Sequence, residues 1–95
     1  MTLSDILARK EEIKRIAEKH GAHNVRVFGS VVHNKTTPES DVDILINMEL
    51  GRSLLDRASI QLELEQMLGC KVDVVSERGL RDRVRDHILK EALSL

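Results

Sequence analysis

The sequence predicts an α/β (α+β) fold in which helices pack on a small mixed β-sheet, in the order αββαβα. Two observations carry that expectation. Apolar residues recur at helical spacing in three segments and gather into short, Val- and Ile-rich runs in three others. Gly, Ser and Pro fall between those segments, where turns and helix caps belong.

Leu3, Ile6, Leu7, Ile13, Ile16 and Ala17 outline a first amphipathic helix, with Thr2 or Ser4 as its N-cap and Gly21 as its stop. Residues 25–30 then read as a short strand, 31–40 as a polar loop containing Pro38, and 41–48 as a second strand adjacent to the first. Gly51 breaks the chain and Ser53 can cap a second helix, whose apolar residues are Leu54, Leu55, Ala58, Leu62, Leu64, Met67 and Leu68, ending at Gly69. Residues 71–76 form a third strand. Residues 80–93 form a closing helix with Leu80, Val84, Ile88 and Ala92 on one face. With no repeat and no long linker, residues 1–95 are expected to make a single domain. A second substrate-binding domain would have to come from another chain.

Composition narrows the function. Phe28 is the only aromatic residue, so the core must be aliphatic. A net charge of −1 and the lack of Trp and Tyr argue against a protein that neutralises phosphate backbones or stacks on bases, so no direct nucleic-acid binding is expected. No apolar run approaches the roughly 20 residues that span a bilayer, and the first ten residues lack a signal-peptide pattern, so no membrane association and a cytoplasmic location are the expectation. The lone Cys70 has no disulfide partner and reads as a small buried hydrophobe.

The second strand carries an anomaly. Asp41 and Asp43, two apart, project to the same side of a strand, where two carboxylates repel. Hard oxygen ligands at that spacing suit Mg²⁺ with a bound phosphate. Asp73 repeats the pattern inside the apolar run KVDVV and can reach the same spot if the third strand lies beside the second. Equally, Asp41 can start its strand from a turn while Asp43 and Asp73 occupy a wet sheet face. The Gly29-Ser30 pair favours the metal reading. A glycine at a strand end permits close backbone approach, and the serine hydroxyl and N–H groups can grip phosphate oxygens.

Gly29-Ser30, ten intervening residues, Asp41-Val42-Asp43 and a third aspartate on a later strand resemble the signature of the nucleotidyltransferase superfamily that includes DNA polymerase beta. Its smallest members, the minimal nucleotidyltransferase (MNT) domains, have about this length, and the resemblance covers nearly the whole chain. It implies an antitoxin paired with an α-helical HEPN-type RNase toxin, transferring AMP from ATP to a toxin tyrosine. By the same resemblance, Gly29 and Ser30 would hold the β and γ phosphates, and Asp41 and Asp43 would ligate Mg²⁺. Asp73 would complete a site for two Mg²⁺ ions and help deprotonate the attacking hydroxyl. The chain lacks Tyr, so the acceptor hydroxyl is expected on a partner.

The match departs at Val32-His33-Asn34-Lys35, where relatives often read A-R-G-E. His33 cannot replace the permanent planar cation of arginine near pH 7. That departure keeps open a non-catalytic antitoxin acting by contact alone; nucleotidyl transfer to a small molecule is a further alternative. Arg81 and His87 stand at an R-x5-H spacing seen in RNase motifs, but Arg81 and Arg85 read more simply as a solvated helix face paired with Asp82 and Asp86. His20 and His23 lack companions at zinc spacing, and Met48 and Met67 read as core.

Overall fold

The computed structural model describes residues 1–33 and 41–95; residues 34–40, which hold most of the expected loop with Lys35 and Pro38, lie outside the described residues. The chain forms α1 (Leu3–Ala8), α2 (Lys10–Lys19), β1 (Ala22–Phe28), a 3₁₀ turn (Gly29–Val31) and β2 (Val42–Met48). It continues through α3 (Leu54–Leu68), β3 (Val72–Ser76), a second 3₁₀ turn (Glu77–Gly79), α4 (Asp82–Glu91) and β4 (Leu93–Ser94). The mixed α/β class is as expected, but the order αββαβα gains two elements.

The first addition is a break in the leading helix. Arg9 leaves helical geometry (φ −115°, ψ 17°), and its guanidinium donates to the Met67 carbonyl at 2.9 Å and to Glu12 at 3.2 Å. The break, anchored to the end of α3, falls in the gap between Leu7 and Ile13, where Lys10 and Glu11 occupy the positions that the apolar spacing would fill. Thr2 is the cap of α1, in a reciprocal capping box with Asp5. The second addition is β4, two residues long and paired to β1 through Arg26↔Ser94 and Val27↔Leu93. So short a strand has no readable period, and the closing helix stops at Glu91 instead of running through 93.

The strand order is β3-β2-β1-β4, with β1 antiparallel to both β2 and β4, and β2 parallel to β3. The crossover α3 makes the parallel pair possible. Period-two alternation then sorts the side chains. Val27, Val42, Ile44, Ile46, Val72 and Val74 face a core completed by Ile6, Ile13 and Ala17 from α1 and α2 and by Ile60, Leu64 and Leu68 from α3. Met48 and Met67 pack against this core, as does Cys70, whose thiol pKa is pushed up by burial.

Not all the leucines that mark α3 in the sequence face the core. Ile60, Leu64 and Leu68 are buried, but Leu54, Leu55 and Leu62 are 74%, 77% and 59% exposed. Helical spacing alone could not tell one apolar face from two.

The opposite sheet face carries Asp43, Leu45 and Asn47 of β2, beside Phe28 and Arg26 of β1 and Asp73 of β3. It is not a uniformly wet face. Leu45 is fully buried, and Arg26 and, from α4, Ile88 are buried at 6% and 8% exposure. The Arg26 guanidinium donates to the Asn24 carbonyl (2.9 Å), Glu77 (2.7 Å) and Asn47 (2.7 Å), while Asn47 donates to Glu77 (3.3 Å). Buried polar groups on this face are thus paired, and they tie β1, β2 and the turn after β3 together.

Candidate active site

The acidic residues lie where three strands meet. Asp43 sits on β2, with its Cα in register with Phe28 of β1 on one side and Asp73 of β3 on the other. Parallel pairing of β2 and β3 sets the two aspartates side by side on the same face. Asp41 stands one residue before β2. Asp43 is half-buried, whereas Asp41 and Asp73 are exposed.

Gly29 brings the other half of the site to the same point. It ends β1 at φ +77°, a left-handed conformation in which an L side chain is strained. A Cβ there would overlap the Asp43 carboxylate, whose Cγ would lie only 3.2 Å away. Glycine is therefore required twice, for its backbone angle and for the space that Asp43 occupies. The 3₁₀ turn that follows carries Ser30, is pinned by the buried Val31, and closes through Val32 N–H to the Gly29 carbonyl at 3.1 Å. All five residues anticipated from sequence, Gly29, Ser30, Asp41, Asp43 and Asp73, fall in this region.

Electrostatics identify Asp43 as the centre. Its pKa is pushed up to about 6, first by burial, then by the neighbouring Asp73 and Asp41 charges. None of the three aspartates makes a salt bridge among the described residues. Such a group of carboxylates is a donor set that a divalent metal ion neutralises, and its all-oxygen chemistry fits Mg²⁺. Among the described residues no three such side chains already close around one ion.

His33 directs its ring to Glu91 of α4 at 3.2 Å, and His87 reaches the same carboxylate oxygen at 3.2 Å. His87 is thus engaged on α4, and Arg85 pairs with Asp82 at 2.8 Å, whereas Arg81 is the N-cap and neither it nor Asp86 forms an ion pair among the described residues. His20 and His23 pair with Glu63 and Glu49. Sequence reading missed Arg26 and its partners; the available signal was an arginine inside the apolar run Val25-Arg26-Val27.

A strand-end glycine turn packed on a carboxylate, at the ends of the central strands of a mixed sheet backed by helices, is an arrangement suited to holding phosphate groups and a divalent cation. Comparison with known proteins narrows the class: residues 9–95 match the nucleotidyltransferase domain family, and the chain belongs to that family. It is 38% identical to a Methanocaldococcus jannaschii protein provisionally named a protein adenylyltransferase, over 90% of this chain and 92% of that one. It is 34% identical to the protein adenylyltransferase MntA of Thermococcus cleftensis, over 95% of this chain and 88% of that one. A solved structure provisionally described as a minimal nucleotidyltransferase superposes with a TM-score of 0.90 at 47% identity, covering 100% of this chain and 97% of the other. The MNT antitoxin–HEPN toxin complex of Shewanella oneidensis, with a tri-AMPylated toxin, matches with a TM-score of 0.71 at 16% identity. That match covers 93% of this chain and 69% of the other, and establishes a shared fold only.

Proposed function

We propose that this nucleotidyltransferase moves AMP from ATP to a tyrosine hydroxyl of a helical HEPN-type RNase toxin, and so acts as its antitoxin. The observation that carries the reading is the packing of Gly29 on Asp43, with Asp73 in register beside it. The kinship with proteins named adenylyltransferases supports it. So does the absence of Tyr from this chain, which leaves the acceptor to a partner.

In the proposed reaction the tyrosine oxygen attacks the α-phosphorus, the bond to the β-phosphate oxygen breaks, pyrophosphate leaves, and the phenolic proton passes to the Asp73 carboxylate or to water. Gly29 and Ser30 hold the β and γ phosphates through N–H and hydroxyl groups of the turn. Asp41, Asp43 and Asp73 would hold Mg²⁺, which when bound supplies charge neutralisation for nucleophile and leaving group. Asp43 does this best as the anion, so the site favours the metal-bound state as pH rises past about 6. Positioning and charge complementarity carry most of the acceleration in such a transfer. Residues 1–95 act as one catalytic unit in this reading.

The test is incubation with the helical product of the neighbouring reading frame, Mg²⁺ and ATP, followed by intact-mass measurement. One or more AMP masses should appear on that protein and vanish with Asp43→Asn. An unmodified toxin that is still neutralised by the Asp43→Asn variant would instead establish inhibition by contact alone.

A further inference from the structure

Helix α3 has two apolar faces and the fold covers one. Ile60, Leu64 and Leu68 are buried, while Leu54 and Leu62, with Ala58 between them, form an exposed stripe beside Arg57 and Gln61, which bond to β3. A further groove extends from Leu54 and Arg57 to Val75, Ser76 and Gly79, and Leu50, 83% exposed, stands at the same end. A helix apolar on both sides is normally buried on both. Clustered exposed leucines of this kind mark an interaction surface.

Two further observations define the occupant. β3 is an edge strand, ordinarily open to pairing with an added strand. Here α3 closes it. Glu65 accepts from Val72 N–H (3.1 Å), Gln61 from Val74 N–H (3.5 Å), and Arg57 donates to the Val74 carbonyl (3.2 Å). Residues spaced by four on one helix face thus occupy the hydrogen-bonding groups that a strand would need, so the groove accepts side chains and not a backbone. Its rim carries Arg57 and Arg78, neither of which pairs with a carboxylate among the described residues.

We infer that the α3–β3 groove docks an amphipathic helix of the acceptor protein, with an apolar stripe seated on Leu54 and Leu62 and acidic residues facing Arg57 and Arg78. Ser76 is roughly 10 Å along β3 from Asp73, so a protein held there can present a side chain to the carboxylates while its bulk stays outside the site. The inference rests on the proposed transfer to a protein acceptor for the identity of the partner.

Binding to the purified helical acceptor is measured by fluorescence anisotropy without ATP, and AMP transfer is measured separately, for wild type, Leu54→Ser/Leu62→Ser, Arg78→Glu and Asp43→Asn. Circular dichroism verifies folding; all the altered groove side chains are exposed. The leucine variant should bind at least tenfold more weakly and Arg78→Glu several-fold more weakly. Both should raise KM for the acceptor while leaving KM for ATP and kcat near wild type, whereas Asp43→Asn keeps binding and loses transfer. Unchanged acceptor binding by the leucine variant overturns the surface, as does a wild type that forms no complex. Loss of self-association in that variant, with acceptor binding intact, makes the occupant a second copy and overturns it as well. If wild type transfers no AMP but the leucine variant still weakens the complex, the docking surface stands and the transfer reading fails.

Discussion

The Gly29 backbone and the Asp43 carboxylate occupy adjoining space so closely that the glycine has no room for a side chain. The strand that ends in the Gly29 turn and the strand that delivers Asp43 are thereby locked to each other. Gly29→Ala must strain a φ of +77° and displace Asp43 together. It should lower stability by about 1–2 kcal/mol in a thermal melt and reduce AMP transfer by tenfold or more, with no change in secondary structure by circular dichroism.

Asp43→Asn separates stability from activity. The folded state holds the Asp43 proton up to about pH 6, whereas an unfolded aspartate releases it near 3.8. Between those values the folded chain binds more protons, so the residue's contribution to stability falls as pH rises through the window. Removing the charge should therefore stabilise the metal-free protein at pH 7.5, by about 1 kcal/mol once solvent screening is allowed for, while abolishing transfer. Melts in EDTA across pH 4–7.5 should show a flatter profile for the variant. Added Mg²⁺ should raise the melting temperature of wild type only.

The Arg26–Glu77 pair predicts the opposite pH behaviour. Hydrogen bonding from Arg26 holds the Glu77 carboxyl below the usual carboxylate range, so its stabilisation is complete above that range and is lost as pH falls through it. Arg26→Met, which strips Glu77 and Asn47 of their shared donor in a buried site, should cost about 3 kcal/mol at neutral pH. In a denaturant titration the double variant Arg26→Met/Glu77→Gln should recover part of that loss.

Ser53→Ala removes one side of the capping box that opens α3, in which Ser53 accepts from Leu55 N–H at 3.2 Å and Asp56 accepts from Ser53 N–H at 3.0 Å. A loss of about 1 kcal/mol is expected. Turnover at saturating acceptor should be unchanged at 25 °C, because the acids stand at the other end of β2 and β3.

Cys70 provides a check on the interior. Burial raises its thiol pKa, so alkylation at pH 7.5 should be slower than for a free cysteine, and Cys70→Ser should retain full transfer activity.

Much of the site was legible because its chemistry breaks local rules. A charge inside KVDVV, a pair of charges at D-V-D and a glycine at a strand end each contradict what a plain strand would carry, and each falls in the site region. Arg26 broke the same rule and went unread, since its partners Asn47 and Glu77 lie 21 and 51 residues away. The two-residue β4 left no periodic trace, and the gap between Leu7 and Ile13 did not by itself announce a break at Arg9; both features involve contacts with distant parts of the chain, Met67 in one case and β1 in the other.

By itself the sequence determined the fold class, three helical and three strand segments, the aliphatic character of the core and the identity of the acidic and glycine positions, because period, capping and charge are local properties. Only the tertiary structure decided which carboxylates face each other, that Asp43 fills the space Gly29 leaves empty, and which leucines of α3 remain exposed. Those outcomes depend on strand register and on what covers each helix face. Both are set by pairing across the sheet and are invisible to any window along the chain.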